Sequence, residues 1–86
     1  MQGNSLTQFR YEHLLFPMIT VYDHPEDFPQ HYVARVWDGA VPCATQDFVL
    51  YESLDKCRLD IVAAGFMLPL PRSPEDDLCI IASYIR

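Results

Sequence analysis

The stretch LPLPRSPEDD, residues 68–77, constrains the fold most, because it holds three of the chain's seven prolines. Proline lacks a backbone N–H and breaks helices, so these residues exclude a helix interior and a central strand. The segment LCIIASYI follows directly and is apolar at nearly every position. This pattern is typical of a strand with neighbours on both sides. The stretch is therefore predicted to be a rigid connector into the last strand.

Three earlier segments also have strand character. ITVY is β-branched and aromatic, and DFVLYE is similar. HYVARVWD, residues 31–38, alternates, so that Tyr32, Ala34 and Val36 point one way and Val33, Arg35 and Trp37 point the other. Asp38-Gly39 then predicts a turn.

One helix is predicted at about residues 53–64. Ser53 is a good N-cap, and Gly65 is placed to end the helix. The apolar residues recur at helical spacing and form the expected buried face: Leu54, Cys57, Ile61 and Val62.

Residues 1–17 form a predicted N-terminal extension. Ser5 and Gln8 fit a capping box, which favours a short helix. A strand is the alternative, since Phe9, Tyr11 and His13 alternate. Residues 18–86 are expected to be a single small domain.

These elements predict an α+β fold. A mainly antiparallel sheet of about four strands carries the 53–64 helix on one face, with an N-terminal helical segment in addition. The other sheet face is left to the N-terminal segment, to solvent or to a partner.

The spacing of Asp38-Gly39 with Pro42, together with LPRSPEDD, resembles small uncharacterised bacterial proteins that begin near the equivalent of Met18. The likeness covers roughly residues 18–86, and neither Cys43 nor residues 1–17 belong to it. It implies no activity, but it supports 18–86 as a folding unit.

Charge and composition exclude several classes of function. The chain has 86 residues, which suits one domain, and its net charge is −6. No basic stripe could follow a phosphate backbone, so direct nucleic-acid binding is not expected. No apolar segment approaches the length that spans a bilayer, so no membrane association is expected. The odd number of cysteines and the absence of a secretion signal predict reduced thiols and a cytoplasmic location.

No catalytic residue and no cofactor is predicted. Cys57 and Cys79 lie in apolar patterns where a thiol is inert, and Cys43 is the cysteine expected to be exposed. The loop from Asp23 to His31 offers carboxylates and imidazoles, but its spacing matches no metal motif. A small metal-dependent enzyme or accessory protein built on this loop remains an alternative.

Two acidic loops are the candidate partner-binding site. One contains Asp23, Glu26 and Asp27, and the other contains Arg72, Glu75, Asp76 and Asp77. The prolines either serve only to stiffen the connector or also hold its carboxylates in a fixed array for basic groups. If both loops lie at one end of the sheet, they form a negative rim. Trp37 is expected in the core, or, if exposed, at an interface beside Arg35.

The sequence therefore predicts a small, acidic, non-catalytic protein that binds a protein partner with a basic surface. A specific form is a stoichiometric inhibitor or regulator of a nucleic-acid-handling protein, by analogy with anti-CRISPR proteins. A structural homodimer, paired through an uncovered sheet face or an edge strand, is a further alternative.

Overall fold

Within the described residues, six strands form one mixed sheet, and one α-helix packs on one of its faces. The computed structural model describes residues 1–74 and 76–86. The strands are β1 (Gln2–Gly3), β2 (Pro17–Asp23), β3 (Tyr32–Asp38), β4 (Cys43–Tyr51), β5 (Leu68–Leu70) and β6 (Ile80–Ile85). The helix α1 spans Leu54–Ala63, and a 3₁₀ turn spans Leu6–Gln8.

The strand order is β1-β4-β3-β2-β6-β5. Strands β2, β3 and β4 form an antiparallel meander, β6 pairs antiparallel with β2, and β1 runs parallel to β4. The prediction of about four antiparallel strands is therefore wrong, although the fold is still α+β. The missed strands, β1 and β5, contain two and three residues, too few for alternation to show.

Cross-strand register divides the sheet into two faces. Ile19 lies opposite Val36, and Thr20 lies opposite Arg35, so β2 and β3 alternate in step. The helix face carries Ile19, Val21, Ala34 and Val36, which belong to the buried core. We call the other side the open face, and it carries Met18, Thr20, Tyr22, Val33, Arg35 and Trp37.

Helix α1 begins and ends as its sequence indicates. The Ser53 side chain accepts a hydrogen bond from the Lys56 N–H, and Gly65 has the positive φ of 90° that ends helices. Cys57 and Ile61 are fully buried, as predicted. Val62 is 53% exposed, contrary to prediction, because each residue turns the helix by about 100° and Ile61 already faces the core.

The N-terminal segment is docked on α1 and contributes to the core. Asp60 accepts hydrogen bonds from the Ser5 hydroxyl (2.7 Å), the Leu6 N–H (2.9 Å) and the Tyr51 hydroxyl. Leu6 is fully buried, and Tyr11 is 6% exposed. The predicted capping box forms, but the expected helix is only one 3₁₀ turn, because the backbone is extended again at Phe9.

Candidate functional site

The two acidic loops lie at the same end of the sheet. β2 ends at Asp23, and its antiparallel neighbour β6 begins at Ile80, so the chain leaves one strand where it enters the other. The Asp23 N–H donates a 2.7 Å hydrogen bond to the Cys79 carbonyl and joins the loops directly. The sequence could not supply this neighbour relation, because it gave no strand order.

A cavity of about 630 Å³ opens between these loops over the open face. Its walls include Tyr22, Val33 and the exposed Leu78, and its carboxylates are Glu26, Asp27 and Asp77. We call the four carboxylates at this end the acidic rim: Asp23, Glu26, Asp27 and Asp77. The cavity therefore combines an apolar interior with a negative edge.

Cys79 also lines the cavity, and the negative charges of the acidic rim affect its thiol. Burial raises the pKa of the Cys79 thiol, and Asp77, Asp23 and Glu26 raise it further by repelling the thiolate. A thiol held protonated in this way is a poor nucleophile. The negative charges around Cys79 thus disfavour its thiolate.

Arg35 is the cation inside this site. Its guanidinium lies 4.9 Å from the centroid of the Phe48 ring and donates a 3.3 Å hydrogen bond to the Thr45 carbonyl. It also lies 3.8 Å from the Asp27 carboxylate, which it partly neutralises. Among residues 1–74 and 76–86, Glu26 and Asp77 have no cationic side chain in ion-pair contact. Neither carboxylate is therefore neutralised by an ion pair within that part of the chain.

A sharp corner at His24 positions the first acidic loop. His24 has a φ of 50°, a left-handed conformation that is uncommon for residues other than glycine. Its N–H donates to the His31 carbonyl (3.0 Å), its ring packs edge-on against Tyr32, and its Nδ1 contacts the Asp23 carboxylate. These contacts hold the loop in one place above the sheet.

Hydrogen bonds also fix the proline-rich connector. The Asp76 carboxylate accepts from the Ser73 N–H, and the Asp77 carboxylate accepts from the Cys79 N–H, each at 2.9 Å. Arg72 is exposed, and its guanidinium lies 3.5 Å from the Asp77 carbonyl. Glu75, the remaining predicted residue of this loop, lies outside the described residues.

Trp37 is not part of the acidic rim. It is half-buried on the open face, opposite Met18, whereas Asp23 lies at the far end of β2. It lines a second, smaller cavity together with Asp76. The structure thus brings Asp23, Glu26, Asp27 and Asp77 together, and it places Trp37 and Asp76 at a neighbouring site.

Sequence reasoning missed the floor of the larger cavity. The alternation of β3 predicts that Val33 and Arg35 lie on one face. No pattern in the sequence indicated that Tyr22 shares this face or that the acidic loops cover it.

The described residues contain no group of three or more metal-ligating side chains arranged to hold an ion. Cys43 is exposed, and Cys57 is buried with its thiol pKa raised to about 12, first by desolvation and then by Asp60.

Comparisons with protein families, curated proteins and solved structures found no match. The resemblance of residues 18–86 to small bacterial proteins therefore stays a prediction. None of the helices formed by the described part of the chain has the length and apolar character required to cross a bilayer.

Proposed function

We propose that this protein acts without catalysis, by stoichiometric binding to a protein partner that carries a basic surface. The observation that supports this most is the meeting of two acidic loops around one cavity, with neither Glu26 nor Asp77 in an ion pair within the described residues. Carboxylates arranged along one edge attract a basic surface and repel nucleic acid and anionic lipid. A partner that handles nucleic acid offers such a surface. Binding of this protein to that basic surface would inhibit or regulate the partner.

Charge alone does not supply tight binding. Exposed ion pairs contribute about 0.2–1 kcal/mol each and mainly accelerate association. Apolar contact must provide the rest, and Leu78, which is 90% exposed at the edge of the cavity, is suitably placed for it. The acidic rim therefore steers the partner, and the cavity with Leu78 retains it.

Pairing of two copies through a strand edge is poorly supported. Pro69 occupies the middle of the edge strand β5 and has no N–H to offer an added strand. The other edge strand, β1, contains two residues. Both edge strands are thus short. This favours a protein that binds a different partner over a homodimer built by edge pairing. Sedimentation at high concentration tests this, and we expect a monomer.

The proposal is tested by capture of the partner from lysate with matched variants. Glu26→Gln/Asp77→Asn removes two charges from the acidic rim and keeps the side-chain shapes. Glu12→Gln/Glu52→Gln removes two exposed charges elsewhere and serves as the control. We expect the wild type and the control to capture one stoichiometric protein that survives nuclease treatment, and the rim variant to capture much less. Equal capture by all three would contradict the proposal.

The metal-dependent alternative has a separate test. A divalent ion bound by the loop from Asp23 to His31 would stabilise the folded state in proportion to its concentration. We expect the melting temperature to remain unchanged at a large excess of Mg²⁺, Mn²⁺ or Zn²⁺. A rise with ion concentration that is lost in Asp23→Asn would support the alternative.

A further inference from the structure

Arg35 is a cation set among the carboxylates of the larger cavity, which are those of Glu26, Asp27 and Asp77. The Arg35 side chain is 21% exposed, whereas that of Asp27 is 62% exposed. Their charged atoms are 3.8 Å apart, close to the ~4 Å limit for an ion pair. Before any partner binds, Asp27 therefore already has a guanidinium beside it.

Other contacts hold Arg35 at the cavity wall. Its guanidinium lies 4.9 Å from the centroid of the Phe48 ring, and that ring also packs against Phe28, with 5.1 Å between the ring centroids. The guanidinium also donates a 3.3 Å hydrogen bond to the Thr45 carbonyl. An exposed ion pair contributes little to stability, so Asp27 can exchange its cation while these contacts keep Arg35 in place.

The cavity suits one long basic side chain of a partner. The methylene stem of such a side chain packs on apolar surface while its charged end stays in water. The cavity offers Val33, Ala44 and Leu78 to the stem and carboxylates to the charged end. Arginine matches a carboxylate better than lysine does, because its planar guanidinium forms two parallel hydrogen bonds.

We propose that Arg35 is an internal competitor of the partner: it occupies the place beside Asp27 that an arginine side chain of the partner takes on binding. The inference rests on the proposed function in placing the partner at the acidic rim. On binding, Asp27 exchanges the Arg35 guanidinium for that of the partner, and Arg35 keeps its contacts with Phe48 and Thr45. Arg35 thus limits the affinity of the complex.

The alternative role for Arg35 is that of a tether, which holds the loop of Asp27 in position. A tether and a competitor predict opposite signs for the loss of the Arg35 charge. Loss of a tether loosens the loop and weakens the binding of a basic group. Loss of a competitor strengthens that binding, because Asp27 is then free to pair with the incoming guanidinium.

Two small probes test this without an identified partner. N-acetyl-argininamide mimics one arginine side chain, and N-acetyl-citrullinamide is its uncharged counterpart. NMR follows binding through the backbone amide signals of Val33 and Cys79, which line the cavity. We expect the wild type to bind the arginine probe more tightly than the citrulline probe. Equal binding of the two probes, or no saturable shift with either, would overturn the proposal.

Arg35→Gln should bind the arginine probe about two- to fivefold more tightly than the wild type does, and should bind the citrulline probe no more tightly. The matched control is Arg58→Gln, which lowers the net charge by the same amount at an exposed position on α1 and should behave as the wild type. Unchanged or weaker binding by Arg35→Gln, or an equal gain in Arg58→Gln, would contradict the proposal.

Asp27→Asn distinguishes competition for one place from a general effect of charge. With Arg35 present, it should weaken binding of the arginine probe less than Asp77→Asn does, because Arg35 already occupies Asp27. In the Arg35→Gln background, Asp27→Asn should cost more than it does in the wild type. Additive effects of the two substitutions would contradict competition. If Arg35→Gln does not fold, the comparison of Asp27→Asn with Asp77→Asn decides alone, and a loss for Asp27→Asn that is equal or larger overturns the proposal.

The rim variant Glu26→Gln/Asp77→Asn keeps failure of this inference distinct from failure of the proposed function. Reduced partner capture by the rim variant, without tighter probe binding by Arg35→Gln, would contradict the role of Arg35 alone. Unchanged capture by the rim variant, with tighter probe binding by Arg35→Gln, would support the competition at Asp27 and contradict the acidic rim as the surface that the partner uses.

Discussion

The two faces of the sheet are built from the same alternating strands but are covered in different ways. On the helix face, α1 and the N-terminal segment seal the core, and Ile19, Ile61 and Phe66 are fully buried. On the open face, loops cover Val33 and Thr20 but leave two cavities. We infer that stability is concentrated on the helix face and that the open face is the one available for recognition.

The largest expected effect comes from Phe66 on the helix-face side. Its ring packs edge-on against Tyr11 at 5.0 Å and contacts the Arg86 guanidinium at 4.7 Å. Phe66→Ala should lower the free energy of unfolding by about 3–5 kcal/mol. Val33→Ala on the open face should lower it by about 1–2 kcal/mol, since it removes two methyl groups. Urea unfolding measures both, and a loss for Phe66→Ala no larger than that for Val33→Ala would contradict the place of Phe66 in the core.

A smaller effect is expected from Asp38, a structural carboxylate that contrasts with those of the acidic rim. Burial opposes its ionisation, but the N–H groups of Leu15, Ala40 and Phe16 donate to it, and its pKa falls below the usual value. Because the folded state favours the charged form, this stability is present above about pH 4 and is lost as the pH falls through the lowered pKa.

Asp38→Asn tests this assignment. At pH 7 the variant should be less stable than the wild type, because it loses the charge that three N–H groups stabilise, and the difference should shrink at pH 3. Unfolding in urea at both pH values gives the comparison. Glu26→Gln, an exposed rim change, should alter stability by less than about 0.5 kcal/mol at either pH. A difference for Asp38→Asn that does not change with pH would contradict the role given to its charge.

The alkylation rates of Cys57 and Cys79 give a further comparison of the two faces, with a smaller expected effect. Cys57 on the helix-face side should resist iodoacetamide at pH 8 until the protein unfolds, because its thiol is fully buried. Cys79 should react slowly in the wild type and about twofold to fivefold faster in Glu26→Gln/Asp77→Asn, because removing nearby negative charge lowers its pKa. Mass spectrometry of the labelled peptides gives each rate. An unchanged Cys79 rate would mean that the rim charges do not act at the cavity.

The sequence predicts the parts of this fold that depend on local chemistry. The cap at Ser53, the stop at Gly65 and the alternation of Ala34 with Arg35 are local features, and the structure contains each of them. The prolines of LPLP correctly excluded a central strand, and β5 lies at the sheet edge.

The remaining features depend on contacts between distant residues. The parallel pairing of β1 with β4 and the burial of Leu6 against α1 depend on the path of the chain, which no local pattern encodes. The meeting of the two acidic loops follows from β2 lying beside β6. The charges of the two loops are evident from the sequence. The position of both loops at one end of the sheet, and the place of Tyr22 beneath the larger cavity, could not be derived from it.

The salt dependence of partner affinity distinguishes binding at the acidic rim from binding elsewhere on the protein. The dissociation constant of the captured partner would be measured from about 50 to 300 mM salt for the wild type, the rim variant Glu26→Gln/Asp77→Asn and the control Glu12→Gln/Glu52→Gln. We predict that the rim variant binds about 2- to 30-fold more weakly than the wild type at low salt and shows a flatter salt dependence, while the control matches the wild type. If the rim variant and the control both match the wild type at low salt, the acidic end of the open face is not the binding surface.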